Sequence, residues 1–156
     1  MQDIENAVIA RDDPMVDDVR ALLDERLAHA RSRSPAGGHN LYDTAALARP
    51  DVAFWTARLG GFLIGCGGLL RLAPTQGEIK AMFLRPMARG HGVSHRLLAT
   101  IEAEARAQGM TELFLETGHD ATAAVSLYHK TGYGACGPFG TYVQDPSSIF
   151  MTKRLA

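Results

Sequence analysis

The sequence predicts an α/β fold in which an antiparallel meander feeds a βαβ unit. Three observations predict it. Two apolar runs, 52–58 (VAFWTAR) and 62–72 (FLIGCGGLLRL), are joined by Gly60-Gly61, the pattern of a β-hairpin. A third run, 77–85 (GEIKAMFLR), is separated from a fourth, 111–117 (TELFLET), by a helical pattern over 90–108. Strands joined through a helix are expected to lie parallel. Finally, 156 residues with 46% apolar and 21% charged side chains suit one domain, 1–156, with a core of its own.

The remaining elements follow in chain order. Residues 4–10 (IENAVIA) suggest a first strand, ended by Arg11-Asp12-Asp13-Pro14. Val16, Val19, Leu22, Leu23 and Leu27 recur at three and four, so 14–30 reads as an amphipathic helix with Pro14 in its first turn. The stretch 31–40 (RSRSPAGGHN) reads as a loop, and 43–48 as a short helix. Gly65, Gly67 and Gly68 inside a strand point to a bulge or a close backbone approach. After 111–117 come a helix over 121–130, a strand over 133–136 and a last strand near 148–154. Trp55, Phe62 and Phe83 read as core.

The composition narrows the function. A net charge near −1 gives no basic face for nucleic acid or an anionic membrane. Cys66 and Cys136 form no CxxC pair and no Cys/His metal spacing, so two reduced cysteines and no metal are expected. The N-terminus carries Asp3 and Glu5 rather than a basic region and an apolar run, and no stretch reaches the roughly 18 apolar residues of a membrane span. A cytoplasmic protein is the expectation.

The informative segment is 84–98, LRPMARGHGVSHRLL. Arg89, Gly90, His91, Gly92, Val93 and Ser94 sit between a strand and a helix whose buried stripe is Val93, Leu97, Leu98, Ile101 and Ala105. The first turn of a helix has N–H groups without intrahelical partners, and its dipole favours negative charge. Glycines let another molecule approach that backbone. Phosphate or pyrophosphate fits such a place, and Arg89 and His91 could add charge-assisted contacts. Two glycines alone carry little weight, and on the short pattern by itself a plain strand-to-helix turn is the simpler reading. No Gly-Lys-Ser/Thr closes a Walker loop, and His95 breaks GxGxxG.

The segment keeps company that decides between these readings. GEIKAMFLRPMARGHGVSHRLL, then LFLETG, then AAVSLYHKTGY resembles the GNAT superfamily of acyl-CoA N-acetyltransferases, over about residues 60–155. Arg89, Gly92 and Ser94 occupy the family loop's Arg/Gln-x-x-Gly-x-Gly/Ala positions, Ser94 being a small but polar departure. The tail 137–155 is similar to that of a bacterial subgroup with the LETG strand. The resemblance implies a central mixed, mostly antiparallel sheet of six or seven strands, with a splayed parallel pair and flanking helices. It also implies acetyl-CoA as acyl donor, no metal, and an amine acceptor.

By that resemblance Met82 and Leu84 would meet the pantetheine arm through their backbones, and the N–H groups from Arg89 to Ser94 would hold the pyrophosphate. The Leu84 N–H would polarise the acetyl carbonyl. On an unbroken strand Glu78, Lys80, Met82 and Leu84 share one face. Glu78 matches the general base, roughly 13 Å from Met82 at about 3.3 Å per residue, a distance that calls for a water relay or a bulge. The alternative is a surface carboxylate paired with Lys80 or with a neighbouring strand. Tyr128 matches the general acid, with a core tyrosine as the alternative. Ala121 stands where the family often has Asn. Glu116, at a strand end, is a second candidate base or amine ligand, or else a loop cap or ion-pair partner. His91 and His119 read as solvated, Tyr142 as lining an acceptor pocket, and Arg31 and Arg33 as solvated charges, with a contact to an acidic substrate as the alternative.

The function expected is acetyl transfer to a small primary amine, such as an amino acid or related metabolite, by direct attack in a ternary complex. Alternatives are a non-catalytic acyl-CoA-binding module and a protein or peptide N-acetyltransferase. A homodimer is compatible with this architecture.

Overall fold

The computed structural model describes residues 3–33 and 44–156, with the side chain of Arg33 left out. Seven strands form one sheet: β1 (Val8–Arg11), β2 (Val52–Leu59), β3 (Phe62–Ala73), β4 (Gln76–Leu84), β5 (Glu112–Gly118), β6 (Gly134–Cys136) and β7 (Ser148–Arg154). Three α-helices accompany it: α1 (Asp17–Arg33), α2 (Val93–Ala107) and α3 (Thr122–Lys130). The order across the sheet is β1-β2-β3-β4-β5-β7-β6. Among the described strands only β4 and β5 pair in parallel, as the α2 crossover requires.

Several boundaries differ from the sequence reading. Strand 4–10 is half a strand: Ile4–Asn6 curls into a 3-10 turn before β1. Its partner strand runs out, because Val8 already faces Arg58 near the end of β2. Beyond that point Asn6 and Ala7 satisfy their N–H groups on Asp3 and Ile4. Helix α1 starts at Asp17, not Pro14, because Asp13 accepts from the Met15 N–H at 2.8 Å in a local turn. It also runs on through 31–33, which the sequence reading gave to the loop. Residues 34–40 of that loop, and residue 43 of the short helix, lie outside the described residues; Thr44–Ala48 is a 3-10 helix. Phe62 is not core: it is 56% exposed, with the Arg85 guanidinium stacked 5.0 Å from its ring.

The sheet separates two cores. On one face α2 lays Val93, Leu97, Leu98, Ile101 and Ala105 on Ile79, Leu84, Leu113 and Leu115. On the other face α1 lays Val19, Leu22 and Leu23 against Phe54, Cys66, Ala81 and Phe83. Arg58 ties α1 to the sheet through Asp18 at 2.6 Å and Asp12 at 3.1 Å.

Candidate active site

The site forms where β4 and β5 part. They pair only at Gln76–Glu78 with Glu112–Phe114, at the start of both strands. Toward their C-terminal ends no ladder joins them, and the sheet opens between its two faces.

A bulge sharpens this opening. The register between β3 and β4 slips between Gly68↔Lys80 and Cys66↔Phe83, so β4 carries one residue more than its partner. Ala81 absorbs the bulge at φ 56°, a left-handed conformation rare for a residue with a side chain. The Cys66 thiol donates to the Ala81 carbonyl at 3.3 Å. Burial raises that thiol's pKa to about 12, although the Arg26 charge acts to lower it.

The bulge corrects the one-face expectation for β4. A one-residue insertion inverts every later side chain. Glu78 and Lys80 therefore point to the α1 face, whereas Met82 and Leu84 point toward α2. Gly65 and Gly67 make room there: a Cβ on Gly67 would lie 2.6 Å from the Met82 sulfur, and one on Gly65 would collide with Leu84. The strand glycines thus mark a close approach to β4, whose bulge faces them, and β3 has an irregularity of its own beside Gly65, where two of its residues pass one of β2 (Ala57↔Gly65, Arg58↔Leu63).

The turn after β4 is as open as its glycines suggest. Pro86–Ala88 forms a 3-10 turn, then Gly90 and Gly92 adopt φ 81° and 80°. Gly92 is the N-cap of α2 in the left-handed region, which is why the helix begins at Val93 and not at residue 90. A Cβ on either glycine would meet no protein atom within 4 Å. Among the described residues, the backbone N–H groups from Gly90 to His95 have no protein acceptor. They form a cradle of donors facing open space, which fits a pyrophosphate. The nearby side chains face elsewhere. His91 Nδ1 lies 3.2 Å from Glu5, and Arg89 donates to the Leu84 carbonyl at 3.2 Å.

The two tyrosines of LYHKTGY differ. Tyr133 donates to buried Glu102 at 2.8 Å, and Lys153 also reaches Glu102 at 3.1 Å. Tyr128 packs edge-on against Tyr133 at 5.6 Å, yet its hydroxyl has no protein partner among the described residues. Burial raises the Tyr128 pKa, while the charge of Arg26 opposes that shift. The phenol therefore keeps its proton at neutral pH.

Across the gap lies an acidic group of a different kind. Glu78 is 3% and Lys80 7% exposed, and they pair at 3.1 Å. Tyr142, from the segment after β6, donates to the same Glu78 oxygen at 2.7 Å and accepts from Lys80 at 2.9 Å. Burial and the neighbouring Glu78 carboxylate raise the Tyr142 pKa. Glu116, near the end of β5, accepts from Ser148 at 2.6 Å. Ala121 precedes α3 without a side-chain cap, and His119 is exposed with its N–H on Ser147.

The sequence reading missed Arg26. It continues the buried α1 stripe of Val19, Leu22 and Leu23 by three and four, a spacing that would have disclosed it. Its charge acts on Cys66, Glu116, Tyr128 and Tyr142. Tyr128 belongs to the α2-side core and Cys66 to the α1 side, so this influence crosses the sheet.

A mixed sheet splayed at its parallel pair, with a donor cradle at the following helix, defines the acyl-CoA N-acyltransferase class. The chain belongs to the acetyltransferase (GNAT) family, whose model matches residues 17–133. It is an acetyl-CoA-dependent N-acetyltransferase. An IAA acetyltransferase of Azospirillum brasilense is 42% identical, covering 96% of this chain and 99% of its own length. A Klebsiella pneumoniae structure described as an acyl-CoA N-acyltransferase superposes with TM-score 0.83 at 29% identity, over 97% of this chain and 99% of that one. A GNAT family acetyltransferase from Elizabethkingia anophelis, solved with acetyl-CoA bound, shares the fold with TM-score 0.68 at 16% identity, over 96% and 99% of the two chains. Among the described residues no helix is long and apolar enough to cross a membrane, and no cluster of three metal-ligating side chains occurs.

Proposed function

We propose that residues 1–156 act as one catalytic domain that moves the acetyl group of acetyl-CoA to the primary amine of a small molecule, such as an amino acid or related metabolite. The observation that carries this reading is the open donor cradle at Gly90–His95, set beside the splayed strands and the unpartnered Tyr128 hydroxyl. The Elizabethkingia relative has acetyl-CoA bound, and the same donor suits this chain's cradle.

Bound acetyl-CoA supplies a thioester carbonyl activated toward amines. The N–H groups of Gly90, His91, Gly92, Val93 and Ser94 bind the pyrophosphate, and the backbones of Met82 and Leu84 line the pantetheine arm; the Arg89 N–H, expected among these donors, is instead given to the Pro86 carbonyl as the 3-10 turn closes. The Leu84 N–H polarises the acetyl carbonyl. The amine nitrogen forms the new C–N bond as the C–S bond breaks. Its surplus proton passes to a carboxylate, Glu78 through water or Glu116 directly. Tyr128 gives its proton to the departing thiolate. Because the Glu78 oxygen already accepts from Lys80 and Tyr142, its proton transfer takes place in a pre-oriented group.

The test is steady-state kinetics with an amine panel, reading CoA thiol release and acetylated product together. Direct transfer predicts equal amounts of both and intersecting double-reciprocal lines. Thiol release without acetylated amine, or parallel lines, would refute the ternary-complex route.

A further inference from the structure

We propose that Arg26 receives a carboxylate on the acceptor, so that the amine acetylated by this chain is an amino acid or another amine that bears an acid group. This rests on the acetyl-transfer reading above and narrows its substrate class.

Four arginines with described side chains are partly buried: Arg26, Arg58, Arg71 and Arg85. Three are fully engaged. Arg58 meets Asp12 and Asp18, Arg85 meets Glu25 and the Leu63 carbonyl, and Arg71 meets Gln108 and the Pro74 carbonyl. Arg26 donates to no group among the described residues. The other partnerless arginines, Arg20, Arg31 and Arg154, stand in solvent, where water serves them. A guanidinium drawn into protein without acceptors is costly, and its planar fork matches a carboxylate in two parallel bonds.

The surroundings say which anion would come. Burial is the largest influence on Arg26 and lowers its proton affinity, while Cys66, Glu116, Tyr128 and Tyr142 act to keep it charged. Glu116 is within electrostatic reach but forms no ion pair with Arg26; Ser148 bonds to it instead. The cradle for pyrophosphate lies at the start of α2, on the opposite face of the sheet from α1. Arg26 is therefore on the acceptor side of the reaction. A carboxylate bound there would leave the neighbouring amino group at the opening near Tyr128.

The experiment compares kcat/KM for amines supplied in pairs, the free acid and its carboxamide, in the full chain and in Arg26→Met and Arg26→Lys. Acetyl-CoA affinity is measured on each by calorimetry. The expected wild type favours the acid. Arg26→Met lowers kcat/KM for the acid about ten- to hundredfold, leaves the carboxamide within about twofold, and binds acetyl-CoA unchanged. Arg26→Lys recovers part of the preference. An indirect effect through Tyr128 would slow acid and carboxamide alike, so equal losses overturn the proposal. So does a wild type indifferent to the carboxylate, or one that acetylates no acid-bearing amine while binding acetyl-CoA. Failure of the wild type to bind acetyl-CoA at all refutes the acetyl-transfer reading, and this inference with it.

Discussion

The two faces of the sheet present polar groups by different means. At the start of α2 they are main-chain donors, offered by Gly90, Gly92 and the first turn of the helix. On the α1 face they are side chains from distant parts of the chain: Arg26 from a helix, Glu78 and Lys80 from β4, and Tyr142 from the segment after β6. Backbone donors read a feature common to every CoA molecule and tolerate sequence change. A side-chain cluster reads one acceptor and changes with each substitution. Donor recognition and acceptor choice can therefore vary separately in this architecture.

The largest expected effect is at the cradle. Gly92→Glu should weaken acetyl-CoA binding by a hundredfold or more, since it adds like charge at the phosphate position and strains a φ of 80°. Gly92→Ala carries the strain without the charge and should lose far less. Equal losses in the two variants, read by titration calorimetry, would mean that the phosphates bind elsewhere.

The next effect separates the paired tyrosines. Tyr128→Phe should lower kcat by about a hundredfold and leave thermal stability unchanged, because its hydroxyl serves no protein group. Tyr133→Phe should do the reverse, costing about 1–3 kcal/mol by removing a donor from buried Glu102. Denaturant midpoints and turnover, measured on both, would contradict the assignment if the two patterns exchanged.

Smaller is the expected response of the acceptor face. Glu78→Gln should lower kcat/KM for the amine by about tenfold without changing acetyl-CoA affinity, and should cost about 3 kcal/mol of stability by removing the counter-ion of Lys80. Full activity at neutral pH would remove Glu78 as the base and leave Glu116 in that role.

A pH dependence spread over both faces, absent at neutral pH, comes last. Burial raises the pKa of Cys66 from 9.0 to about 12, and lifts Tyr128, Tyr133 and Tyr142 above the ordinary 10.0. The unfolded chain thus gives up these protons first. Stability should be level below about pH 9 and then fall with rising pH, by up to about 1.4 kcal/mol per pH unit for each such group. A denaturant midpoint unchanged from pH 8 to 10.5 would show that these groups reach solvent.

The α2 face was legible in the sequence for a physical reason. A left-handed N-cap demands glycine, and a helix packed on a sheet demands the 93/97/98/101/105 stripe, so local chemistry leaves a local mark. The α1 face left fainter marks. Glu78, Glu116 and Tyr142 were recognisable as candidates, but their grouping depends on strand pairing and on the segment between β6 and β7. The bulge was hidden because alanine, not glycine, occupies the left-handed position at 81, and period-two reading then carried Met82 and Leu84 to the wrong face. Arg26 was overlooked because a charged residue in an amphipathic helix reads as its solvent side, even where the three-and-four spacing turns it inward.

The most direct test of the account is a calorimetric titration of the chain with acetyl-CoA, with CoA and a nicotinamide dinucleotide as controls. The account predicts that acetyl-CoA and CoA bind and the dinucleotide does not, with affinity lost in Gly92→Glu and kept in Arg26→Met. Equal affinity for the dinucleotide, or acetyl-CoA binding indifferent to Gly92→Glu, would contradict the claim that the donor cradle at the start of α2 is the CoA site.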